Sequence, residues 1–227
     1  LSLKFGINNR HAIERRWALK EDPYRSIARW YDKLFEPINR GLRVLGLRLF
    51  LPKEGMAILD VGCGTGLHLE LYRKYRCALY GIDPSSAMLE IARRRLGNSA
   101  KLHLGDASKM PYEDSSFDLV IAMLALHEMN QVTRSSVIRE MKRVLKHSGR
   151  ILLIDFHPGP IRPLQGWLTK LIITLSEIAA GREHFRNYRH FMRIKGLPTL
   201  ITEHSLVIDK NRIVSGGALA EFLLKAE

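Results

Sequence analysis

ILDVGCGTG, residues 58–66, decides the fold of this 227-residue chain. Three apolar side chains, Ile58, Leu59 and Val61, lead into Gly62, Gly64 and Gly66, and the helical segment LHLELYRKY follows. Glycine accepts positive φ and has no Cβ, so such a loop turns sharply and lets a ligand lie against its backbone. Strand, glycine loop and helix in that order form the nucleotide-binding turn of an open α/β sheet. The spacing is GxGxG rather than GxGxxG, and glycine triplets also serve plain turns. Two acids downstream tip the balance. Asp83 ends the apolar run ALYGID, where a carboxylate can accept from ribose hydroxyls, and Asp106 closes the next unit, KLHLGD. Either acid alone suits a helix N-cap. Both together, at the carboxyl ends of successive parallel strands, favour one shared crevice.

Working outward, apolar runs and amphipathic segments alternate over 57–61, 66–76, 78–82, 85–96, 101–104, 117–123, 132–146 and 150–156. This βαβ rhythm predicts a parallel sheet with helices on both faces. Ser148-Gly149, after the basic end of the 132–146 segment, reads as a helix C-cap. Before the core, Ile27, Trp30, Tyr31, Leu34, Ile38, Leu42, Leu45 and Leu49 recur at helical spacing, with Pro37 and Gly41 expected to break the helix in two. Residues 1–22 are polar and weakly patterned, an arm or a short helix. After the core, LQGWLTKLIITLSEIAAG is a strongly apolar helix, too short and too charged at Lys170 for a membrane span. Packing into the fold is the expectation for so apolar a helix, ahead of lying on a membrane or over a greasy substrate. The helix is followed by REHFRNYRHFMRIKGLP, in which Arg182, Arg186, Arg189 and Arg193 fall on one helix face. SLVIDKNRIVSGGALAEFLLKA ends the chain as two strands joined at SerGlyGly. The expected divisions of this single domain are a helical cap (1–51), a cofactor core (52–156), a helical lid (157–198) and closing strands (199–227).

A hydrophobic content of 46% and a charged content of 26% are ordinary for a globular domain of this length. The two cysteines, Cys63 in the glycine loop and Cys77 after it, do not make a disulfide framework and fit a reducing, cytoplasmic setting. The start, LSLKFGINNRHAIERRW, has no continuous apolar stretch, so no secretory leader is expected, and the missing initiator Met suggests a trimmed terminus. The net charge of +13 permits attraction to nucleic acid, anionic lipid or an acidic substrate without choosing among them. Arg93, Arg94 and Arg95 read as the solvated face of the helix after Asp83.

ILDVGCGTG at 58–66, GIDPSSAML at 81–89, GDASKMPYEDSSFDLVIAMLALHEM at 105–129 and REMKRVLKHSGRILLID at 139–155 together resemble the class I S-adenosylmethionine-dependent methyltransferases, near the quinone-biosynthesis and small-molecule branch. The resemblance implies a Rossmann-like, mostly parallel seven-stranded sheet with an antiparallel C-terminal hairpin and an inserted helical lid. It implies S-adenosylmethionine as cofactor. Asp60 with Gly62, Gly64 and Gly66 would hold its methionine end beside the small Cys63. Asp83 would bind the ribose, Asp106 with the Ala107 amide would read the adenine, and Met88 would pack near the adenine face. Pro84 and Ala122 belong to the same cofactor-binding set. Tyr31-Asp32 resembles the family's Tyr-Asp, whose tyrosine closes over the cofactor; packing on the core is an equal reading of Tyr31.

Methyl transfer from a sulfonium is an in-line displacement, which needs alignment and exclusion of water more than acid–base chemistry. If the acceptor is protonated, His127, directly after the 117–123 strand, is the candidate general base; anchoring its own loop is the competing role. Glu128 either orients His127 or faces solvent. His127-Glu128 alone is too little for a metal site, and no metal is expected. His184, Tyr188 and Arg189 are candidates for substrate contact in the lid. The expected activity is methyl transfer to a small hydrophobic acceptor, a quinone precursor or a lipid, with peripheral contact to an anionic membrane. An RNA methyltransferase is the alternative; the loop AMLALHE lacks the Asn/Asp-Pro-Pro-aromatic motif, and no nucleic-acid module is present. A non-catalytic, cofactor-binding partner subunit is a third reading.

Overall fold

The computed structural model describes residue 22 and residues 24–226, so the expected arm over 1–22 lies almost wholly outside the described residues. Seven strands form one sheet in the order β3-β2-β1-β4-β5-β7-β6. β1 (Ala57–Val61), β2 (Ala78–Asp83), β3 (Ala100–Leu104), β4 (Phe117–Met123) and β5 (Leu145–Phe156) run parallel. β6 (Leu206–Val214) and β7 (Leu219–Ala226) form the closing hairpin, β7 antiparallel to both β5 and β6. The central strands are buried on both faces, with Ile58, Leu59, Val61, Val120, Ile121, Leu152 and Leu153 essentially inaccessible. That is why they read as continuous apolar runs rather than alternating ones.

Helices α1 (Ala28–Leu49), α2 (Leu67–Tyr72), α3 (Ser86–Leu96) and α4 (Gln131–Val144) accompany the parallel half. After β5 come α5 (Gln165–Ala179), α6 (Arg182–Arg193) and α7 (Leu197–Glu203). The strand order changes direction between β1 and β4, so the loops after β1, β2, β3 and β4 open onto one crevice at the carboxyl edge.

Three local expectations fail. α1 is one helix with Pro37 inside it, not two pieces. Proline removes one helical hydrogen bond and crowds the preceding turn, but α1 buries Leu42, Leu47 and Leu49, and Gly46 sits against Ile154 and Leu152 of β5. Tertiary burial outweighs the local cost. The segment expected as helix 66–76 is α2 followed by a tighter 3₁₀ turn over Arg73–Tyr75. Ser148-Gly149 caps nothing: α4 passes directly into β5 at Leu145, and the register steps from Phe117–Leu145 to Leu119–Arg150, leaving residues 146–149 as a bulge.

Candidate functional site

The glycine loop and the end of β2 are joined by backbone hydrogen bonds. Gly64 donates its N–H to Asp83 Oδ2 at 2.8 Å, and Ser85 donates to Asp83 Oδ1 at 2.8 Å. Gly64 has φ +52, and a Cβ there would meet nothing within 4 Å, so its backbone borders open space. Gly62 differs: with φ +73, its missing Cβ makes room for Ala125 in the loop after β4. Burial pushes the Asp83 carboxyl up to about 6, against the lowering pull of its two amide donors. Asp60, one residue before the end of β1, is also buried; that burial, offset in part by nearby Arg43 and reinforced by Asp83, raises it to about 7. Among the described residues no hydrogen-bond donor meets the Asp60 carboxylate, although buried polar groups are normally paired.

The other expected cofactor residues fall around the same edge. Asp106 follows β3, half-buried, and accepts from the Ser108 amide at 2.8 Å; Ala107 next to it is buried, as is Met88 in the first turn of α3. Ala122 is buried within β4, and Pro84 is exposed at the turn after β2. Cys63 points down into the core: a Cβ on Gly81 would lie 2.7 Å from its sulfur, and burial drives its thiol well above the ordinary range, so it is no nucleophile. Tyr31 is half-buried and packs against both Tyr24 and Phe35.

Sequence reasoning missed how the N-terminal helix is fastened over this edge. Asp32 accepts from the Thr65 hydroxyl at 2.6 Å and from Arg95 at 2.5 Å. Arg95 therefore ties the glycine loop to α1 and α3 rather than joining the solvated face expected for Arg93–Arg95; Arg94, paired with Glu90, does face solvent. Asp22 accepts from Ser85 Oγ, Ser86 Oγ and the Ala87 amide, so it satisfies one free N–H at the start of α3, while Ser85 Oγ accepts from the Met88 amide. These partners are 30 to 65 positions apart, and no local pattern announces them.

Beyond β4 the turn Leu126–Glu128 carries the second cluster. His127, 2% exposed, places Nδ1 2.7 Å from Asp155 Oδ1 and Nε2 3.6 Å from Glu177 Oε1. Asp155 also accepts from the Leu126, His127 and Phe156 amides. Burial disfavours the charged ring, but the Asp155 charge and hydrogen bond, with help from Glu177, outweigh it and raise His127 to about 10. Held between carboxylates in this way, His127 ties the turn after β4 to β5 and α5, the geometry of the anchoring role that competes with the catalytic one. The Glu177 carboxyl is pushed up by its own burial, yet the His127 and His184 rings beside it hold it down at about 2. Glu128 does not face solvent alone: it accepts from the Tyr24 hydroxyl at 2.8 Å, and Asn187 Nδ2 donates to its backbone oxygen.

Of the three expected substrate residues of the lid, Tyr188 and Arg189 line one groove and His184 does not. His184 turns inward to Glu177 Oε2 at 3.0 Å; Tyr188 is buried against Phe156 and His127; Arg189 is exposed beside Phe185. An open groove of about 990 Å³ lies between α5 and α6, and Arg182, Arg186, Arg189 and Arg193 all line it. Along α5, Trp167, Leu168, Leu171, Leu175 and Ile178 are each more than half exposed, so the apolar helix expected to pack into the fold leaves one face open. No helix among the described residues is long and apolar enough to cross a membrane.

Comparison with known proteins agrees with this geometry. Residues 59–153 match a family model described as "Methyltransferase domain". The chain is 33% identical over 146 residues to a demethylmenaquinone methyltransferase of Thermotoga maritima, the match covering 62% of each chain. It is 31% identical over 161 residues to a phosphatidylethanolamine N-methyltransferase of Cereibacter sphaeroides, covering 66% of this chain and 77% of that one. In structure it is similar to an S-adenosylmethionine-dependent methyltransferase from Aquifex aeolicus, with a TM-score of 0.62, 19% identity and coverage of 92% and 100%. The chain matches only about three fifths of the length of the first of these relatives. Its fold, its glycine loop with Asp83, and these alignments place the chain in the S-adenosylmethionine-dependent methyltransferase family.

Proposed function

We propose that the chain transfers the methyl group of S-adenosylmethionine to a small hydrophobic acceptor of the quinone-precursor or lipid kind. The observation that carries this reading is the exposed apolar face of α5 beside a groove lined by four arginines. An apolar helix face of this size is normally covered, by a partner, a membrane surface or a greasy ligand. The acceptors named for the similar proteins, demethylmenaquinone and phosphatidylethanolamine, are of that class.

The crevice residues fit the cofactor's parts. S-adenosylmethionine, when bound, supplies the methyl group on a sulfonium. Asp60, without a donor of its own among the described residues, suits an ammonium or a hydroxyl, and the open backbone at Gly64 lets a ligand approach closely. Asp83 is held in place by two amides, leaving its remaining lone pairs for ribose hydroxyls. Asp106 and the Ala107 amide border the adenine side. Asp32 and Asp22 fasten the N-terminal segment to this edge, a cover that would keep water from the reacting groups, which is the main demand of a displacement whose nucleophile needs no base. With His127 locked to Asp155, an acceptor that ionises by itself or carries a neutral lone pair fits best.

Release of S-adenosylhomocysteine, measured with the organic extract and then with the RNA fraction of cells as sole acceptor, tests this reading. Turnover with the organic extract is expected. Turnover with RNA alone would replace it, and make the +13 charge the deciding feature.

A further inference from the structure

We propose that His127, Glu128, Glu177 and His184 bind one divalent first-row transition ion of the zinc class, which clamps the lid helices α5 and α6 to the turn after β4. The ligand atoms of His127, Glu128 and His184 lie within 4.8 Å of one another. Glu177 reaches the same space from α5. Its Oε1 is 3.6 Å from His127 Nε2 and its Oε2 is 3.0 Å from His184 Nε2, while Glu128 Oε1 is 3.8 Å from His184 Nε2. Bonds of about 2.0–2.1 Å to a tetrahedral zinc ion put neighbouring ligand atoms roughly 3.3–3.4 Å apart, so small side-chain adjustments would bring the 3.6 Å and 3.8 Å separations to that value.

Two further observations point to a shared centre rather than to simple ion pairs. Glu177 is 94% buried, and its Oε2 makes no hydrogen bond although a ring nitrogen lies 3.0 Å away. Such an oxygen and nitrogen are close without facing each other, as two ligands of a common ion are. His127 holds Asp155 through Nδ1 at 2.7 Å, which fixes the ring and leaves Nε2 aimed at the cluster. A carboxylate behind a histidine is the usual support of a metal-binding imidazole. Two imidazoles and two carboxylates are a donor set that suits zinc and its neighbours and leaves calcium or magnesium poorly served.

The expectation of no metal rested on His127-Glu128 alone. The fold supplies the missing ligands from two later helices. Glu128, 30% exposed and bonded to Tyr24, is the most accessible of the four ligands.

The experiment uses the untagged chain, stripped with chelator and titrated with Co²⁺ and with Zn²⁺, without methyl donor or acceptor. The proposal expects one ion per chain retained after desalting, a visible Co²⁺ ligand-field band, and affinity reduced more than about tenfold in His184→Ala and in Glu177→Gln. Both variants are checked for folding by circular dichroism and by unchanged S-adenosylhomocysteine binding. A wild-type chain that retains no ion, or a His184→Ala chain that retains as much as wild type, overturns it. Because no turnover is measured, failure here leaves the methyl-transfer reading untouched.

Discussion

Gly64 N and Asp83 Oδ2 stand 2.8 Å apart, so the loop after β1 and the acid at the end of β2 act as one rigid unit. A ligand that engages Asp83 therefore also feels the glycine loop. Replacing Asp83 with Ala removes the acceptor for both the Gly64 and the Ser85 amides. Each lost charge-assisted bond costs about 1.5–3 kcal/mol. Calorimetric titration with S-adenosylhomocysteine is expected to show affinity down by a hundredfold or more, on the order of 3 kcal/mol. Unchanged affinity would remove Asp83 from the cofactor site.

Asp60 and Asp83 make the ligand-free protein sensitive to pH. Both carboxyls are raised by folding, to about 7 and about 6. In the window between the ordinary aspartate value and these, the folded chain holds more protons than the unfolded one, so stability falls as pH rises. The penalty is complete above about pH 7 and is relieved on acidification. Thermal denaturation from pH 5 to pH 8 is expected to show the melting temperature dropping across pH 6–7, with a shallower slope when cofactor partners these carboxylates. A rising or flat profile through that window in the apo protein would contradict the assignment.

Asp155 is the hub of the turn after β4, accepting from three amides and from His127. Asp155→Ala leaves the buried His127 facing Glu177 alone and frees three donors in the core. Breaking one member of a buried charged group in this way costs about 3–5 kcal/mol. Urea denaturation should show a lower midpoint with little change in slope. A loss below about 1 kcal/mol, the size seen for exposed pairs, would mean the network is solvated.

Legibility tracked the range of the interactions. The fold was readable because ILDVGCGTG, the acids at 83 and 106 and the alternation of apolar runs are local patterns, each set by the neighbours of the residue concerned. Pro37 misled because its local penalty is real but smaller than the burial of α1 on β5. Ser148-Gly149 misled because the same pair serves a helix cap or a bulge, and only strand pairing decides. The Asp32–Thr65–Arg95 and Asp22–Ser85 ties were invisible: a carboxylate in a polar stretch gives no hint of a partner far along the chain. His127 was found by its place after β4, but its role depends on Asp155 and Glu177, which the sequence did not connect to it.

The lid surface makes a separate prediction. Leu171→Asp on the exposed face of α5 disturbs little of the core, since Leu171 is 55% exposed. If α5 and the arginines of α6 rest on anionic membrane, cosedimentation with phosphatidylglycerol-containing vesicles should be strong for wild type and weaken in 0.5 M salt as the charges are screened. It should also fall severalfold in Leu171→Asp, because inserted apolar area is lost. Equal sedimentation of variant and wild type would leave charge alone, and not the helix, as the cause.

The most direct test is transfer of a labelled methyl group. The protein is incubated with methyl-labelled S-adenosylmethionine and whole-cell extract, and the product is divided into organic, nucleic-acid and protein fractions. Label in the organic fraction, absent with an Asp83→Ala control, is the expected result. Label confined to RNA or protein would show that the greasy face of α5 is not where the acceptor binds.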